Sequence, residues 1–412
     1  MKKIVVLIDP VSAGLHLIDA ALVENEFIAV YTIGKERAEK YVPSILEIEQ
    51  KALQVIFSDD PDLAYMEMKP EYRERAISVL PASEPGVEMA SALAAKMGLI
   101  HLNEKATTIC RDKTSIRAAL HHLSIPSVKF EKCSSFEACL EFVDKNQLPV
   151  VMKHPTGAGQ NNIFICQNKK EIEIAFHTIV SSPNLFGQMS DVVLIEQYLD
   201  GKEYAVNYIV SNSKIRKLDT WQYEHYLFDD KNRLYDNISH FQKPREGQER
   251  VEKYAVDVIK TLGIDFGFIH LEVIDDKTKG PVLVDIGARL IGGHFTALIK
   301  QLGLGDPFQT TLKLYDGTLD IDAMTYAPKK SMSGVFLPIH KTGVLKSIKG
   351  LEEIKSRSSY GFHFCSVKEG DKIQRSFELG NMAASIYISA DTDEQLWEEI
   401  NFIRENFKLE TA

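Results

Sequence analysis

Two apolar segments in the second half of the chain each contain a single acid. Residues 267–274 include Glu272, and residues 281–286 include Asp285. Both segments are rich in β-branched residues, and the break between them is charged, which predicts a β-hairpin. Because an unpaired charge among apolar neighbours is very costly, each carboxylate must have a partner in the fold.

Arg289 and the pair Gly292-Gly293 follow this hairpin. A glycine pair lets the backbone approach a ligand closely. Two acids, an arginine and bare backbone suit a magnesium–phosphate site. The alternative is a hairpin with an internal ion pair between Arg289 and one of its own acids, because structural ion pairs can mimic functional sites.

Length and composition limit the classes of protein to consider. A chain of 412 residues is too long for one hydrophobic core, and this length predicts two or three domains. The net charge of −10 and the absence of a dense basic cluster argue against a nucleic-acid partner. No apolar run reaches the ~18 residues of a membrane span, and no signal peptide is recognisable. The five cysteines form no close pair, which predicts reduced thiols and a cytoplasmic protein.

The first part of the chain, to about residue 105, alternates predicted strands and helices. This order predicts a doubly wound parallel sheet, whose ligands bind beyond the carboxyl ends of its strands. Ser83 and Glu84 follow the fourth predicted strand, where Glu84 could accept a substrate ammonium; the alternative is that the dipole of the next helix favours its charge there. The first turn has no Gly-x-Gly-x-x-Gly pattern, which argues against a nicotinamide or flavin site. The predicted strands are residues 4–8, 27–31, 53–57 and 76–80, and the predicted helices are residues 13–23 and 86–97.

A lysine and a glycine-containing turn mark the next part of the chain. Lys153 ends an apolar strand, small polar residues follow, and a second strand returns. Backbone N–H groups of such a turn can surround phosphates while the lysine adds a point charge. The alternative is a flexible hairpin tip. Around this turn the sequence predicts a helix from Arg111 to Leu123, a strand beginning at Ile125 and a helix over residues 136–146.

Residues 192–210 are predicted to form two strands joined by a short turn. In such a segment the backbone of residues 196–199 can face an adenine edge, with Glu203 within reach of ribose hydroxyls. Residues 211–250 are polar and aromatic and are predicted to form a mobile flap, because long loops in compact domains are usually functional. Further elements are predicted as helices over 252–262, 295–302 and 306–315, strands near 332–339 and 383–390, and a helix over 393–407 with Thr392 or Asp393 as N-cap.

The ordered combination of these features resembles the ATP-grasp superfamily over essentially the whole chain. The resemblance implies an α/β ATP-grasp fold in three parts. Residues 1–105 would form an N-terminal doubly wound parallel-sheet domain that precedes the ATP-grasp unit. Residues 106–204 would form a linker helix and a lid domain. Residues 205–412 would form a C-terminal α+β catalytic domain with a closing subdomain.

The resemblance also implies roles for individual residues, with ATP and Mg²⁺ as cofactors and Mn²⁺ as a substitute. The implied nucleotide-binding residues are Lys113, Lys153, Thr156, Gly157, Gly159, Gln160, Glu196, Gln197, Tyr198, Leu199 and Glu203. The implied metal ligands are Glu272 and Asp285, and the implied catalytic group is Arg289 with Gly292, Gly293 and His294. Ser83 and Glu84 would contact substrate. Both His294 and His154 could accept a proton or be structural.

The sequence departs from the family pattern at two positions. Asp285 replaces a longer glutamate, and Gly287 replaces the asparagine of the Asn-x-Arg motif. One usual metal contact is therefore missing, which puts the binding of two magnesium ions in doubt.

Within the superfamily, residues 285–294 look most like bacterial L-amino-acid ligases, and residues 343–354 resemble their closing subdomain. This implies ATP-dependent joining of two L-amino acids through an aminoacyl phosphate, with ADP and phosphate as products and an arginine-preferring member as the nearest guess. The partners would be small-molecule amino-acid substrates, with no nucleic acid and no membrane. Assembly as a homodimer is left open. The alternatives are another ATP-grasp ligase, a carboxylase (against which the missing Met-Lys-Met segment argues), or a non-catalytic ATP-binding sensor.

Overall fold

The structure is a computed structural model that describes residues 1–42, 45–157, 162–184, 187–227, 233–301, 305–324, 329–376 and 381–412. Gly159 and Gln160, two of the predicted nucleotide-binding residues, lie outside the described residues. Among the helices in these ranges, none is both long enough and apolar enough to cross a membrane.

The N-terminal part is a parallel sheet with helices on both faces, as predicted. Its strand order is β3-β2-β1-β4, with every neighbouring pair parallel. Apolar clusters on the two faces bury the alternate side chains of the central strands. A 3₁₀ turn at Glu84–Gly86 leads from β4 into α6. The strands are β1 (Ile4–Ile8), β2 (Glu26–Tyr31), β3 (Gln54–Phe57) and β4 (Ala76–Pro81), and the helices are α1 (His16–Leu22), α2 (Lys35–Tyr41), α3 (Ile45–Lys51), α4 (Pro61–Glu67), α5 (Pro70–Arg73) and α6 (Val87–Lys96).

Two helices, α7 (Glu104–Arg111) and α8 (Lys113–His122), connect this sheet to the next. The sequence predicted one helix here and missed α7. Asp112 separates the two, because it adopts an extended backbone conformation and its carboxylate caps α8 by accepting from the N–H of Thr114 at 2.7 Å. The cap places Lys113 at the first position of α8.

A small antiparallel sheet follows, with strand order β5-β8-β6-β7 and two helices packed on it. The strand predicted to begin at Ile125 begins at Phe130 instead. The elements of this sheet are β5 (Phe130–Cys133), α9 (Phe136–Asn146), β6 (Val150–Lys153), β7 (Ile163–Cys166), α10 (Lys169–Ser181) and β8 (Val193–Gln197).

The largest sheet is antiparallel, with strand order β13-β12-β9-β10-β11-β14-β18-β16 over the described residues. The predicted hairpin is its β12–β13 edge pair. Helix α11 (Gln248–Thr261) packs on strands β9, β12 and β13, at one edge of this sheet. The strands are β9 (Gly201–Ser211), β10 (Lys214–Leu227), β11 (Arg233–His240), β12 (Gly267–Asp276), β13 (Gly280–Gly287), β14 (Ser331–Leu337), β16 (Tyr360–Cys365) and β18 (Ala384–Ala390).

The predicted flap over residues 211–250 is wrong. Most of this segment forms β10 and β11 in the interior of the largest sheet. The polar residues suggested a loop, but several of them are buried in the sheet, where they form hydrogen bonds with other buried side chains. Asp219 accepts from the side chain of Asn207 and from the indole N–H of Trp221, and all three residues are buried.

The remaining elements close the C-terminal part. Strands β15 (Gly343–Lys349), β17 (Lys372–Ile373) and β19 (Lys408–Thr411) form a small antiparallel sheet. Thr392 caps α15 as predicted, accepting from the N–H of Gln395 at 3.1 Å. The helices are α12 (Phe295–Gln301), α13 (Pro307–Tyr315), α14 (Leu351–Lys355) and α15 (Asp393–Asn406).

Three of the four sheets meet around one region of the molecule: the parallel N-terminal sheet, the small sheet of β5–β8 and the largest sheet. Helix α13 packs against α1 in a common apolar cluster, which joins the N-terminal sheet to the largest sheet. The chain passes from the small sheet to the largest one between Gln197 and Gly201. The domain limits 1–105, 106–204 and 205–412 remain predictions.

Candidate active site

A cavity of about 390 Å³ lies where the three sheets meet. This volume is in the range of small-molecule sites, which are typically about 300–1,000 Å³. Residues from each part of the chain line it. The predicted site residues among them are Glu84, Lys113, Lys153, Gly157, Glu196, Gln197, Tyr198, Leu199, Glu203, Glu272, Asp285 and Arg289.

The two hairpin acids face this cavity side by side. Glu272 on β12 pairs directly with Asp285 on β13 in the antiparallel register. Directly opposed residues of an antiparallel pair have Cβ atoms about 5 Å apart on the same face. Among the described residues, no group of three or more His, Cys, Asp or Glu side chains is placed to hold a metal. The hairpin therefore offers a pair of carboxylates.

Asp285 is paired with Lys113 from the start of α8. The Lys113 ammonium lies 2.6 Å from Asp285 Oδ2 and also donates to the carbonyl of Gly157 at 2.9 Å. Burial alone raises the pKa of Asp285, but the ammonium outweighs burial and holds the pKa below its ordinary value. One lysine thus joins a predicted metal ligand to the base of the predicted phosphate turn.

Glu272 has a different set of partners. Its carboxylate lies 3.4 Å from His270 Nε2, and the hydroxyl of Tyr223 donates to it. Burial, together with the nearby Glu272, raises the pKa of Tyr223 well above its ordinary value, so the hydroxyl stays protonated and can donate. Neither acid is paired with Arg289. The alternative of an ion pair internal to the hairpin is therefore wrong.

Glu196 and Lys153 form the most deeply buried charged group of the cavity, together with Arg117. Glu196 accepts from Arg117 Nε at 2.6 Å and lies 2.6 Å from the Lys153 ammonium. Burial raises the pKa of Glu196, but the two cations outweigh it, so the pKa lies below its ordinary value. Arg117 also donates to the carbonyl of Val284, next to Asp285. The side chain of Glu196 therefore fixes the lysine.

Arg289 is held by Glu84, which comes from the N-terminal sheet. Arg289 Nε lies 2.6 Å from one oxygen of Glu84, and Arg111 donates to the other oxygen at 2.8 Å. The acid predicted to accept a substrate ammonium is therefore already engaged by two arginines.

Hydrogen bonds join the start of the phosphate turn, at Thr156, to the segment that follows α10. Asn184, which is buried, donates to the carbonyl of Thr156 at 3.2 Å, and the Thr156 hydroxyl donates to Gln188 at 3.0 Å. The N–H of Thr156 donates to His154 Nδ1 at 3.2 Å. These contacts fix the chain up to Gly157.

Several predicted residues do not line the cavity. Ser83 donates its hydroxyl to the carbonyl of Asp9 at 2.7 Å. The ring of His294 stacks on Phe364 with centroids 3.9 Å apart, and burial lowers its pKa to about 4. The predicted residues outside the lining are Ser83, Thr156, Gly292, Gly293 and His294.

Arg111, Arg117 and His270 line the cavity and were not predicted as site residues. Arg117 could have been found, because it lies one helical turn after Lys113 and therefore on the same face of α8. His270 could have been found in the same way, because it lies two residues before Glu272 on a strand and therefore on the same face.

Comparison with protein families matches residues 111–236 to the phosphoribosylglycinamide synthetase ATP-grasp (A) domain. Dapdiamide A synthase of Enterobacter agglomerans is 26% identical over 308 residues, covering 73% of this chain and 70% of that protein.

Solved structures resemble the whole chain. L-amino acid ligase from Bacillus licheniformis superposes with a TM-score of 0.79 at 18% identity, over 100% of both chains. The biotin carboxylase domain of the Hydrogenobacter thermophilus 2-oxoglutarate carboxylase, solved with MgADP, ADP and bicarbonate, superposes with a TM-score of 0.65 at 14% identity, over 100% of this chain and 91% of that one. These likenesses show a shared fold.

Proposed function

We propose that this chain is a member of the ATP-grasp superfamily and an ATP-dependent carboxylate–amine ligase that joins two L-amino acids into a dipeptide. The observation that carries the proposal is the cavity itself. Paired carboxylates, two lysines and Arg289 line one space; they come from the second and third parts of the chain, and Glu84 reaches the same space from the first.

The nucleotide would occupy the end of the cavity nearest the small sheet. Lys113 and Lys153 supply positive charge for its phosphates, and the turn after Lys153 would cover them. The backbone of residues 196–199 would face the adenine, and Glu203 the ribose. Lys113, Lys153, Gly157, residues 196–199 and Glu203 line the cavity.

The hairpin residues fit a magnesium ion. Mg²⁺ prefers oxygen ligands and is commonly held by one or two carboxylates together with substrate phosphates. Glu272 and Asp285 are such a pair, and Gly287 offers no third side chain. When bound there, the ion would neutralise charge on the transferring phosphoryl group. Asp285 would then exchange Lys113 for the ion, which frees the lysine for phosphate.

The proposed reaction has two steps. An oxygen of the first amino acid's carboxylate attacks the γ-phosphorus of ATP, the bond to the β-phosphate oxygen breaks, and ADP leaves. The amine of the second amino acid then attacks the acyl carbon, loses a proton, and displaces inorganic phosphate. Arg289 would stabilise the negative charge that builds on the acyl oxygen during this attack. Exclusion of water from the site when the substrates are bound would limit hydrolysis of the acyl phosphate.

The names of two relatives favour amino-acid ligation within the superfamily. One similar structure is an L-amino acid ligase, and one similar curated protein is Dapdiamide A synthase. The preference for arginine stays a prediction. Glu84, the acid predicted to accept a substrate ammonium, is engaged by Arg111 and Arg289.

The proposal is tested by measuring phosphate release from ATP and Mg²⁺ across all pairs of the twenty amino acids, with mass spectrometry of the products. We expect ADP formation that depends on specific amino acids and a product with the mass of a dipeptide. ATP binding with no amino-acid-dependent ADP formation would instead support a non-catalytic sensor. Turnover with bicarbonate in place of an amino acid would support a carboxylase.

A further inference from the structure

Glu84 reaches the cavity from a turn of the N-terminal sheet and joins two arginines that lie far apart in the sequence. Its carboxylate oxygens contact Arg289 Nε at 2.6 Å and Arg111 Nη1 at 2.8 Å. The side chains of Glu84, Arg111 and Arg289 are 13%, 8% and 18% exposed, so solvent screens these contacts little. Because the contacts are largely buried, breaking one leaves an uncompensated charge.

Position 287 makes room for this carboxylate. A Cβ atom built on Gly287 would lie 2.8 Å from Glu84 Oε2 and 3.4 Å from the guanidinium carbon of Arg289. Carbon and oxygen atoms that are not bonded to each other do not approach so closely without displacement. The position that holds an asparagine in the family pattern is therefore a glycine here, and the space beside it holds Glu84.

The contacts fix the guanidinium of Arg289 from two sides. Its Nε faces Glu84, and its Nη1 donates to the carbonyl of Leu290 at 2.9 Å. Burial raises the pKa of Glu84, but the two arginines outweigh burial and lower the pKa below its ordinary value, so the carboxylate stays charged at neutral pH. An ion-pair contact at Nε and a hydrogen bond at Nη1 together restrict the rotation of this planar group.

We propose that Glu84 is a positioning residue that orients Arg289 for the acyl-transfer step, and that glycine at position 287 is required to admit it. This inference rests on the proposed function. It differs from the sequence-based prediction, in which Glu84 binds the substrate ammonium directly. A misplacement of about 1 Å at a reacting centre can lower a rate on the order of a hundredfold.

The first test compares Glu84→Gln with Glu88→Gln. Glu88 lies one turn further along and is 3.9 Å from the same Arg111, but it is 60% exposed, which makes it a matched control. We expect Glu84→Gln to lower kcat by about tenfold or more while KM for ATP and for both amino acids stays within about twofold. Glu88→Gln should leave kcat and the three KM values unchanged. A raised KM for one amino acid with an unchanged kcat would overturn the inference in favour of direct substrate binding.

The second test is a double-mutant cycle with Arg289→Ala. If Glu84 acts through Arg289, Glu84→Gln has no further effect on the residual activity of the Arg289→Ala enzyme. If the two effects multiply, Glu84 acts independently of Arg289 and the inference is wrong.

The third test uses Gly287→Ala, which removes no charge but places a methyl group against the Glu84 carboxylate. We expect it to reproduce the kcat loss of Glu84→Gln and to add nothing in a Glu84→Gln background. Wild-type kcat in Gly287→Ala would contradict the inference.

A crystal structure of Glu84→Gln provides a readout that does not depend on turnover. We expect the Arg289 guanidinium to leave its place beside residue 287, and finding it unmoved would overturn the inference. If the wild-type enzyme has no amino-acid-dependent activity, the proposed function fails, and this structure still decides whether Glu84 positions Arg289.

Discussion

Glu196 shows how the role of one residue depends on contacts that are distant in the sequence. It was predicted as part of a segment whose backbone faces adenine, and its side chain proves to hold Lys153 and Arg117. The three side chains come from β8, β6 and α8, which the sequence brings together only through the fold.

We predict that Glu196→Gln destabilises the protein strongly. The substitution leaves two buried cations without a carboxylate, and breaking a buried ion pair costs about 3–5 kcal/mol. The measurement is the urea-induced unfolding of the variant and the wild type. The control is Glu141→Gln, at a 70% exposed residue whose partner Lys145 is 4.0 Å away, and it should change the stability by less than about 0.5 kcal/mol. Equal stability of the two variants would contradict the assigned role of Glu196.

Arg289→Ala should separate binding from chemistry. Because Arg289 is proposed to act on charge that develops only in the second step, nucleotide affinity should stay within about twofold while dipeptide formation falls on the order of a hundredfold or more. Titration with a non-hydrolysable ATP analogue and product analysis measure the two quantities. Near-normal turnover would remove the catalytic role of Arg289.

Asp9 should make stability depend on pH. Burial raises its pKa to about 6, although Thr32 donates both its N–H and its hydroxyl to the carboxylate. The raised pKa means that the folded state binds the carboxyl proton of Asp9 more tightly than the unfolded state does. The resulting stabilisation of the folded state is fully present below about pH 4 and is lost as the pH rises through about 6. The stability of the wild type minus that of Asp9→Asn should therefore fall, by about 3 kcal/mol, between these pH values. A difference that is constant or rises with pH would contradict this account.

At the scale of elements, the cap of α8 links local structure to the site. Asp112 caps the helix whose first residue, Lys113, contacts Asp285 and Gly157. We predict that Asp112→Ala costs about 1 kcal/mol of stability and also raises KM for ATP, because Lys113 loses its fixed position. Asp60 caps α4 in the same way, with no residue of α4 lining the cavity.

Asp60→Ala is therefore the matched control for Asp112→Ala. It should lower the thermal midpoint by a similar amount and leave KM for ATP unchanged. If both variants raise KM equally, the effect on nucleotide binding comes from stability in general and not from Lys113.

The elements that sequence patterns predicted well are those with strong periodicity. The parallel strands, the β12–β13 hairpin and α15 with its Thr392 cap are apolar or amphipathic over their whole length. Strands β10 and β11 were missed because their buried polar residues resemble a loop in the sequence. Helix α7 was missed because its boundary with α8 is set by the backbone of a single residue, Asp112.

The sequence predicted which residues line the candidate site more completely than it predicted which of these residues contact one another. Lys113, Lys153, Glu272, Asp285 and Arg289 line one cavity, as their order along the chain indicated. The pairing of Arg289 with a residue of the N-terminal sheet could not be predicted, because no local pattern connects positions so distant in the sequence. Gly292, Gly293 and His294 do not line the cavity in the described residues, since the chain after Arg289 turns toward the aromatic cluster around Phe364.

At the scale of the whole molecule, the central claim is that three sheets border a site where, as proposed, a carboxylate is activated by phosphorylation. The most direct measurement uses the first amino acid with ¹⁸O in its carboxylate, together with ATP, Mg²⁺ and the second amino acid. Attack of the carboxylate on the γ-phosphorus predicts that one ¹⁸O atom appears in the inorganic phosphate released, which mass spectrometry detects. Dipeptide formation with unlabelled phosphate would contradict the acyl-phosphate route and the account built on it.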